Sequence, residues 1–321
     1  MVSTGLASAQ TLLHNRYQIL RILEDGPWSI AWLAEDTQRL SGRQCVVRRV
    51  KPLTPDVAVQ KQLCDRIQTE IETWQTLGGI HDQIPWLSSF TDADNQIYLI
   101  EEWVPGLTLT QVIQNSGPLD EGAVQTILTK LLSLVDYLHQ NQVVHCALEP
   151  SNIVLREADQ KPVLQYGGIL NQIMAHICVE CNIHPLPWIP TSGYLPHEQV
   201  VLDQHYYSSN LYSLGLIGIY LLTGHDPYDV FNLTAEGGEW SQVVPAADSA
   251  FTAILNKAIA RLPGERFVTA RQMLKALAAP GQFLQQSLSA HANLIEQMGT
   301  YLSSYWLHLN PSEPTLNSYP G

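Results

Sequence analysis

The chain has 321 residues, 45% of them hydrophobic, which is enough for one large domain or two lobes around a buried core. Its 17 Lys and Arg against 30 Asp and Glu leave a formal charge of -13, which argues against a nucleic-acid binder and against an anionic membrane surface, because both need clustered cations. Five cysteines, an odd count without framework spacing, point to a reducing, cytoplasmic setting.

Met1 to Leu13 has no basic segment ahead of an apolar run, so no signal peptide is expected, and residues 1–14 read as disordered. Tyr17–Leu23, Ile30–Ala34 and Cys45–Val50 are rich in β-branched and aromatic residues. Turn material separates them at Asp25-Gly26-Pro27 and Ser41-Gly42, so three antiparallel strands are predicted. A helix follows over Val57–Leu77, with Leu63, Ile67, Ile71 and Trp74 at helical spacing. Ile84-Pro85-Trp86 breaks it, and strands are predicted at Ser88–Thr91 and Gln96–Val104. From Gly106 the pattern turns helical: Ala123–Leu138, Ser208–Leu222, Ala247–Arg261 and Val268–Ala278. The apolar run Leu211–Leu222 is too short to span a bilayer and reads as a buried helix. The periodicity therefore gives an α+β chain of two lobes, the first mostly strand and the second mostly helix.

Residues 144–155 read V-H-C-A-L-E-P-S-N-I-V-L. Around them stand R-Y-Q-I-L-R-I-L at Arg16–Leu23, A-E-D at Ala34–Asp36 and H-x-Q-I-P at His81–Pro85. Y-S-L-G-L-I-G-I-Y-L-L-T-G at Tyr212–Gly224 and P-G-E-R-F at Pro263–Phe267 follow. In this order the phrases resemble the bacterial, cyanobacterial-type serine/threonine protein kinases, over about Asn15 to Pro280. The resemblance implies a protein-kinase-like fold: a small antiparallel-sheet N-lobe with one helix, about 15–104, and a mostly helical C-lobe, about 105–280.

The resemblance also assigns positions to a nucleotide cleft. The family's H-R-D-x-x-x-x-N falls on His145 to Asn152, with Cys146 at the Arg, Ala147 at the catalytic Asp and Glu149 at the following Lys. Its Gly-rich loop falls on Glu24–Ser29, where only Gly26 survives. Arg48 stands for the phosphate-gripping Lys and Glu70 for its helix partner, which implies an Arg48–Glu70 ion pair. The adenine-facing hinge corresponds to Glu102-Trp103-Val104, and D-F-G to Gln165-Tyr166-Gly167 or, in an alternative register, with Tyr166 at the Asp. Gln165 supplies no carboxylate for magnesium. His145, the pair Glu198–Arg266, and Asn210 fall on positions that in the family support the fold.

The simultaneous replacements at Arg48, Ala147, Glu149 and Gln165 predict a catalytically inactive member, a pseudokinase and not an enzyme. It would act as a signalling, scaffolding or regulatory module that binds another protein, such as an active kinase or signalling component, with no cofactor expected and no nucleic-acid or membrane partner. The alternative is a nucleotide-binding switch or a weak ATP-dependent serine/threonine protein kinase with a rewired site. Gly26, Arg48, Glu70, Glu102, Val104 and Asn152 would form its cleft, which is compatible with metal-independent ATP.

Two further stretches carry their own readings. His176, Cys178, Cys181 and His184 could supply four zinc ligands, but four within nine residues are crowded, and side chains on a mobile activation-type loop are the plainer reading. From Gln282 to Leu309, Leu284, Leu288, His291, Ile295, Met298, Leu302 and Trp306 form one helical stripe. This predicts a helical extension over 281–309 that packs on the domain or docks to a partner, ahead of a disordered tail at 310–321.

Overall fold

The computed structural model describes residues 12–39, 43–92, 96–181, 193–202, 204–233, 240–243, 249–290 and 292–293. The first lobe is an antiparallel sheet made by β1 (Leu12–Leu13), β2 (Tyr17–Asp25), β3 (Ser29–Asp36), β4 (Arg43–Val50), β5 (Leu87–Thr91) and β6 (Ile97–Glu102), in the order β1-β2-β3-β4-β6-β5. β1 lies inside the segment expected to be disordered and pairs with Tyr17 and Gln18.

Helix α1 (Val57–Leu77) occupies the predicted span to the residue. Asp56 caps it, its carboxylate accepting the Ala58 N–H at 2.8 Å. Leu63, Ile67, Ile71, Trp74 and Leu77 form its buried stripe, as their spacing requires. That stripe joins one core running from Trp28 in the sheet lobe through α1 to the helical lobe.

The second lobe begins with β7 (Gly106–Thr108), α2 (Leu109–Ser116) and α3 (Glu121–Gln140). A short 3-10 turn at Pro150–Asn152 leads into β8 (Ile153–Arg156) and β9 (Pro162–Leu164), which with β7 make a small second sheet that periodicity did not reveal. Helices α4 (Gly167–Glu180), α5 (His197–Leu202), α6 (Tyr207–Thr223), α7 (Pro227–Leu233), α8 (Ser249–Ala258) and α9 (Ala270–Ala278) complete it. Every residue of α6 from Ser208 to Thr223 except Tyr212 is buried, because α3, α8 and α9 pack around it. It stops at Gly224, whose φ of 73° is the left-handed cap that glycine adopts without strain.

One predicted loop is a helix. The stretch after Gly168, expected to be a mobile segment, forms α4 and packs against α1. Ile169, Leu170, Ile173, Met174 and Ile177 are buried along it, a helical stripe that the motif-based reading passed over. Residues 280–290 are helical, in keeping with the start of the expected extension; residues 294–321, including the rest of that stripe and the tail, lie outside the described residues. Among the described residues no helix is long and apolar enough to cross a membrane.

Candidate functional site

The cleft between the lobes is bounded by the β2–β3 turn, Arg48 on β4, the loop 144–152 and the start of α4. The turn is tight: the Gly26 N–H donates to the Ser29 carbonyl at 2.9 Å, while Lys51 Nζ donates to the Gly26 carbonyl and pairs with Asp25, both at 2.7 Å. Trp28 inside it is buried in the core.

Arg48 does not form the expected ion pair with Glu70. Its Nη1 donates to Glu24 Oε2 at 2.8 Å and to Ser29 Oγ at 2.9 Å. Its Nη2 lies against Gly167, where a Cβ would stand 2.7 Å away. The start of α4 thus fills the space beside the guanidinium, and the sheet places Glu24 within its reach. Glu70 is instead raised in pKa, chiefly by burial, with Arg66 and His205 acting the other way.

The loop 144–152 is braced by the residues expected to support it. The Asn210 side chain accepts from the His145 N–H at 3.1 Å and donates to the His145 carbonyl at 2.6 Å; its Oδ1 also lies 3.0 Å from His139 Nε2. The His145 ring is buried, packs edge-on to Trp74 at 5.4 Å, and accepts the Ala147 N–H at Nδ1. Burial pushes its pKa down to about 4, so it stays neutral at pH 7. Asn152 donates its side-chain amide to the Ala147 carbonyl at 3.1 Å and accepts the Gln165 N–H at its own carbonyl, at 2.8 Å.

Gly168 faces this pair so closely that a Cβ would stand 2.0 Å from Asn152 Nδ2 and 3.0 Å from the Ala147 methyl. Arg48 and Asn152, 104 positions apart in the chain, therefore converge on the two glycines that open α4. Glu149 points to Ser151, whose hydroxyl it accepts. Below the loop, Arg266 grips Glu198 through both terminal nitrogens at 2.5 and 3.1 Å, as the resemblance implied.

At the hinge, Glu102 pairs with Arg43 and its N–H donates to the Trp86 carbonyl at 3.1 Å, while Val104 is buried with Val154 and Val163. The residue before it is a feature that the sequence reading passed over. Glu101 is only 6% exposed, and its carboxylate accepts the Tyr166 N–H at 2.8 Å. Burial raises its pKa, while that hydrogen bond and the charge of Arg48 pull it down.

A pKa raised on folding means that the native state holds the proton more tightly. Its contribution is full below the ordinary carboxylate range and is lost as pH rises through the raised value. Glu101→Gln keeps an acceptor for Tyr166 and removes the buried charge. It is expected to stabilise the protein by about 1–2 kcal/mol once pH exceeds the raised value, and to flatten the decline in melting temperature as pH rises above the ordinary carboxylate range. An unchanged slope would place the buried charge elsewhere.

The three described zinc candidates do not converge. Cys178 is buried in the core, Cys181 Sγ lies 3.6 Å from Gln62 Oε1, and the His176 ring faces that of His205 at 6.3 Å between centroids. His184 lies outside the described residues. On a helix, His176 and Cys178 are two positions apart and point to opposite sides. Among the described residues no group of three or more His, Cys, Asp or Glu could hold a metal ion.

The family described as protein kinase domain matches residues 37–276. The serine/threonine-protein kinase PknA of Nostoc sp. is 38% identical over 271 residues, 84% of this chain and 48% of that protein. Serine/threonine-protein kinase C of Synechocystis sp. is 35% identical over 269 residues, 83% of this chain and 50% of that protein. The chain thus spans about half the length of these curated relatives.

Among solved structures, the PpkA-294 apo form is similar with a TM-score of 0.67 at 20% identity, covering 85% of this chain and 100% of that one. The PknI kinase domain of M. tuberculosis has a TM-score of 0.62 at 21% identity, covering 86% and 100%. The two-lobe architecture is therefore protein-kinase-like, as the motifs implied. The expectation that the chain is not an enzyme is overturned. Relatives 35–38% identical over most of it are named serine/threonine-protein kinases, which points to an enzyme despite the replacements at Ala147, Glu149 and Gln165.

Proposed function

The chain belongs to the protein kinase family, and on that premise we propose that it is an ATP-dependent serine/threonine protein kinase domain whose rewired cleft makes transfer slow. The observation that carries this reading is the convergence of Arg48 and Asn152 on Gly167 and Gly168, which keeps a cation and an amide where the triphosphate would run. The backbone of Glu102-Trp103-Val104 meets adenine, a contact that depends little on side chains. Arg48 holds phosphate oxygens through its guanidinium. The partner is a protein offering a serine or threonine hydroxyl. That oxygen attacks the γ-phosphorus, ADP leaves with the bridging oxygen, and the hydroxyl proton passes to water because Ala147 offers no base.

Magnesium, which the family's chemistry uses, does not fit the residues present. Gln165 puts a neutral amide where the charged oxygens that a hard cation needs would stand, and the Asn152 amide nitrogen is turned to the Ala147 carbonyl. ATP is accordingly proposed to bind without a metal held by the protein. Loss of the general base alone costs about 10²- to 10⁴-fold, so turnover far below the usual 1–100 s⁻¹ of kinases is expected.

Incubation with ATP labelled at the γ-phosphate and a serine- and threonine-rich acceptor is expected to give slow, acid-stable incorporation of label. Arg48→Ala should cut it at least about 10-fold. Incorporation equal in the wild-type protein and the Arg48→Ala variant would end this reading.

A further inference from the structure

Glu24 lies in a row across three strands. Ala31 of β3 is the register partner of both Glu24 on β2 and Arg48 on β4. Side chains of register partners project from the same face of a sheet, so Glu24, Ala31 and Arg48 stand in line. The middle residue carries only a methyl group, buried at 1% exposure, so the Glu24 carboxylate can reach over it to Arg48 Nη1 at 2.8 Å.

The two partners differ in their exposure. The Arg48 side chain is 11% exposed and the Glu24 side chain 47%. The cation is therefore fixed in the cleft, held also by Ser29 Oγ and backed by Gly167, whereas the anion is a half-solvated side chain at the end of a strand. The other cation at this turn, Lys51, is occupied by Asp25 and the Gly26 carbonyl.

We propose that Glu24 is the specificity-determining residue of this cleft: a built-in anion that a phosphate group must displace from Arg48 in order to bind. The inference rests on the nucleotide reading above and adds a selection rule. Ligands are graded by the charge they bring to Arg48, and the base alone is indifferent to Glu24. Physically, a half-exposed ion pair contributes little stability and can be given up. A doubly charged phosphoryl group makes a stronger, bidentate contact to the same guanidinium. A singly charged or neutral ligand has no such advantage.

The test is calorimetric titration of the full chain with ATP, AMP and adenosine in the presence of a chelator, at one fixed salt concentration. Glu24→Gln is expected to tighten ATP about 10-fold and to leave adenosine within about twofold. Glu24→Asp keeps the charge but falls short of Arg48, and is expected to behave like Glu24→Gln. An ATP affinity unchanged by Glu24→Gln, with wild-type binding intact, overturns the role of Glu24 alone. So does equal tightening of ATP and adenosine, or a Glu24→Asp protein that binds as the wild type does. If neither protein binds ATP at millimolar concentration, the nucleotide reading fails and takes this inference with it. Binding by Glu24→Gln where the wild type shows none is the strongest support.

Discussion

Ala147→Asp is expected to speed phosphoryl transfer by about 10²- to 10⁴-fold, the range that a positioned general base contributes. Position 147 lies on the braced loop, its N–H held by His145 Nδ1 at 3.2 Å and its carbonyl by the Asn152 amide at 3.1 Å. The backbone is thus already fixed, and only the side chain is missing. Across the cleft stands Gly168, so close that a Cβ on it would lie 3.0 Å from the Ala147 methyl.

The gain should appear in kcat with the KM for ATP little changed, because a base acts on the hydroxyl proton and not on the nucleotide. Initial rates of label incorporation for Ala147→Asp and the wild type, with Arg48→Ala as the background control, provide the measurement. An unchanged rate with undiminished ATP binding would show that proton removal is not what limits this domain.

Glu198→Gln is expected to destabilise the protein by about 3–5 kcal/mol, because it leaves a buried guanidinium without its counter-charge. Arg266 is 3% exposed and Glu198 5%. Besides both carboxylate oxygens, Arg266 holds the Ala260 carbonyl at 2.7 Å and the Arg261 carbonyl at 3.0 Å, and its guanidinium stacks 4.6 Å from the Tyr212 ring centre. Ser209 Oγ donates to Glu198 at 2.8 Å, so removing the charge disturbs a network and not a lone pair. For a chain of this size the loss corresponds to roughly 10 °C in melting temperature.

The pH dependence has a definite sign. Burial alone would raise the Glu198 pKa, but the hydrogen bonds and charge of Arg266 hold it below the ordinary carboxylate range. A lowered folded-state pKa gives stability that is present above the unfolded value and lost as pH falls through the folded one. The wild type should therefore lose this contribution on acidification, while Glu198→Gln lacks it at every pH and shows a shallower acid decline. Equal acid slopes for the two proteins would count against the pair as an acid-sensitive brace.

Much of the fold could be read directly. Leu63, Ile67, Ile71 and Trp74 at helical spacing mark an amphipathic helix, and α1 has the predicted bounds. The order of motifs assigned His145, Asn210, Glu198 and Arg266 to the support of the fold; Asn210 hydrogen-bonds the His145 backbone and Arg266 pairs with Glu198. Helix α4 was legible as a pattern of buried apolar residues, but its position just after Gln165-Tyr166-Gly167, where the resemblance puts D-F-G, led to the expectation of a loop. The prediction of inactivity went wrong for a different reason. A substituted side chain at 147 or 165 shows what chemistry is missing there, not that the rest of the cleft has lost its activity.

What the sequence determined by itself is local: which residues bury and which phrases follow which. Burial faces depend on spacing within a single element, and that spacing is written in the chain. The tertiary structure decided the partners. Arg48 meets Glu24 and not Glu70 because the β2–β3–β4 register sets the two side chains in one row and α4 takes up the space beside the guanidinium. A charge pairs with whatever the fold brings within a few ångströms, and that distance is set by how strands and helices pack, which no spacing along the chain encodes.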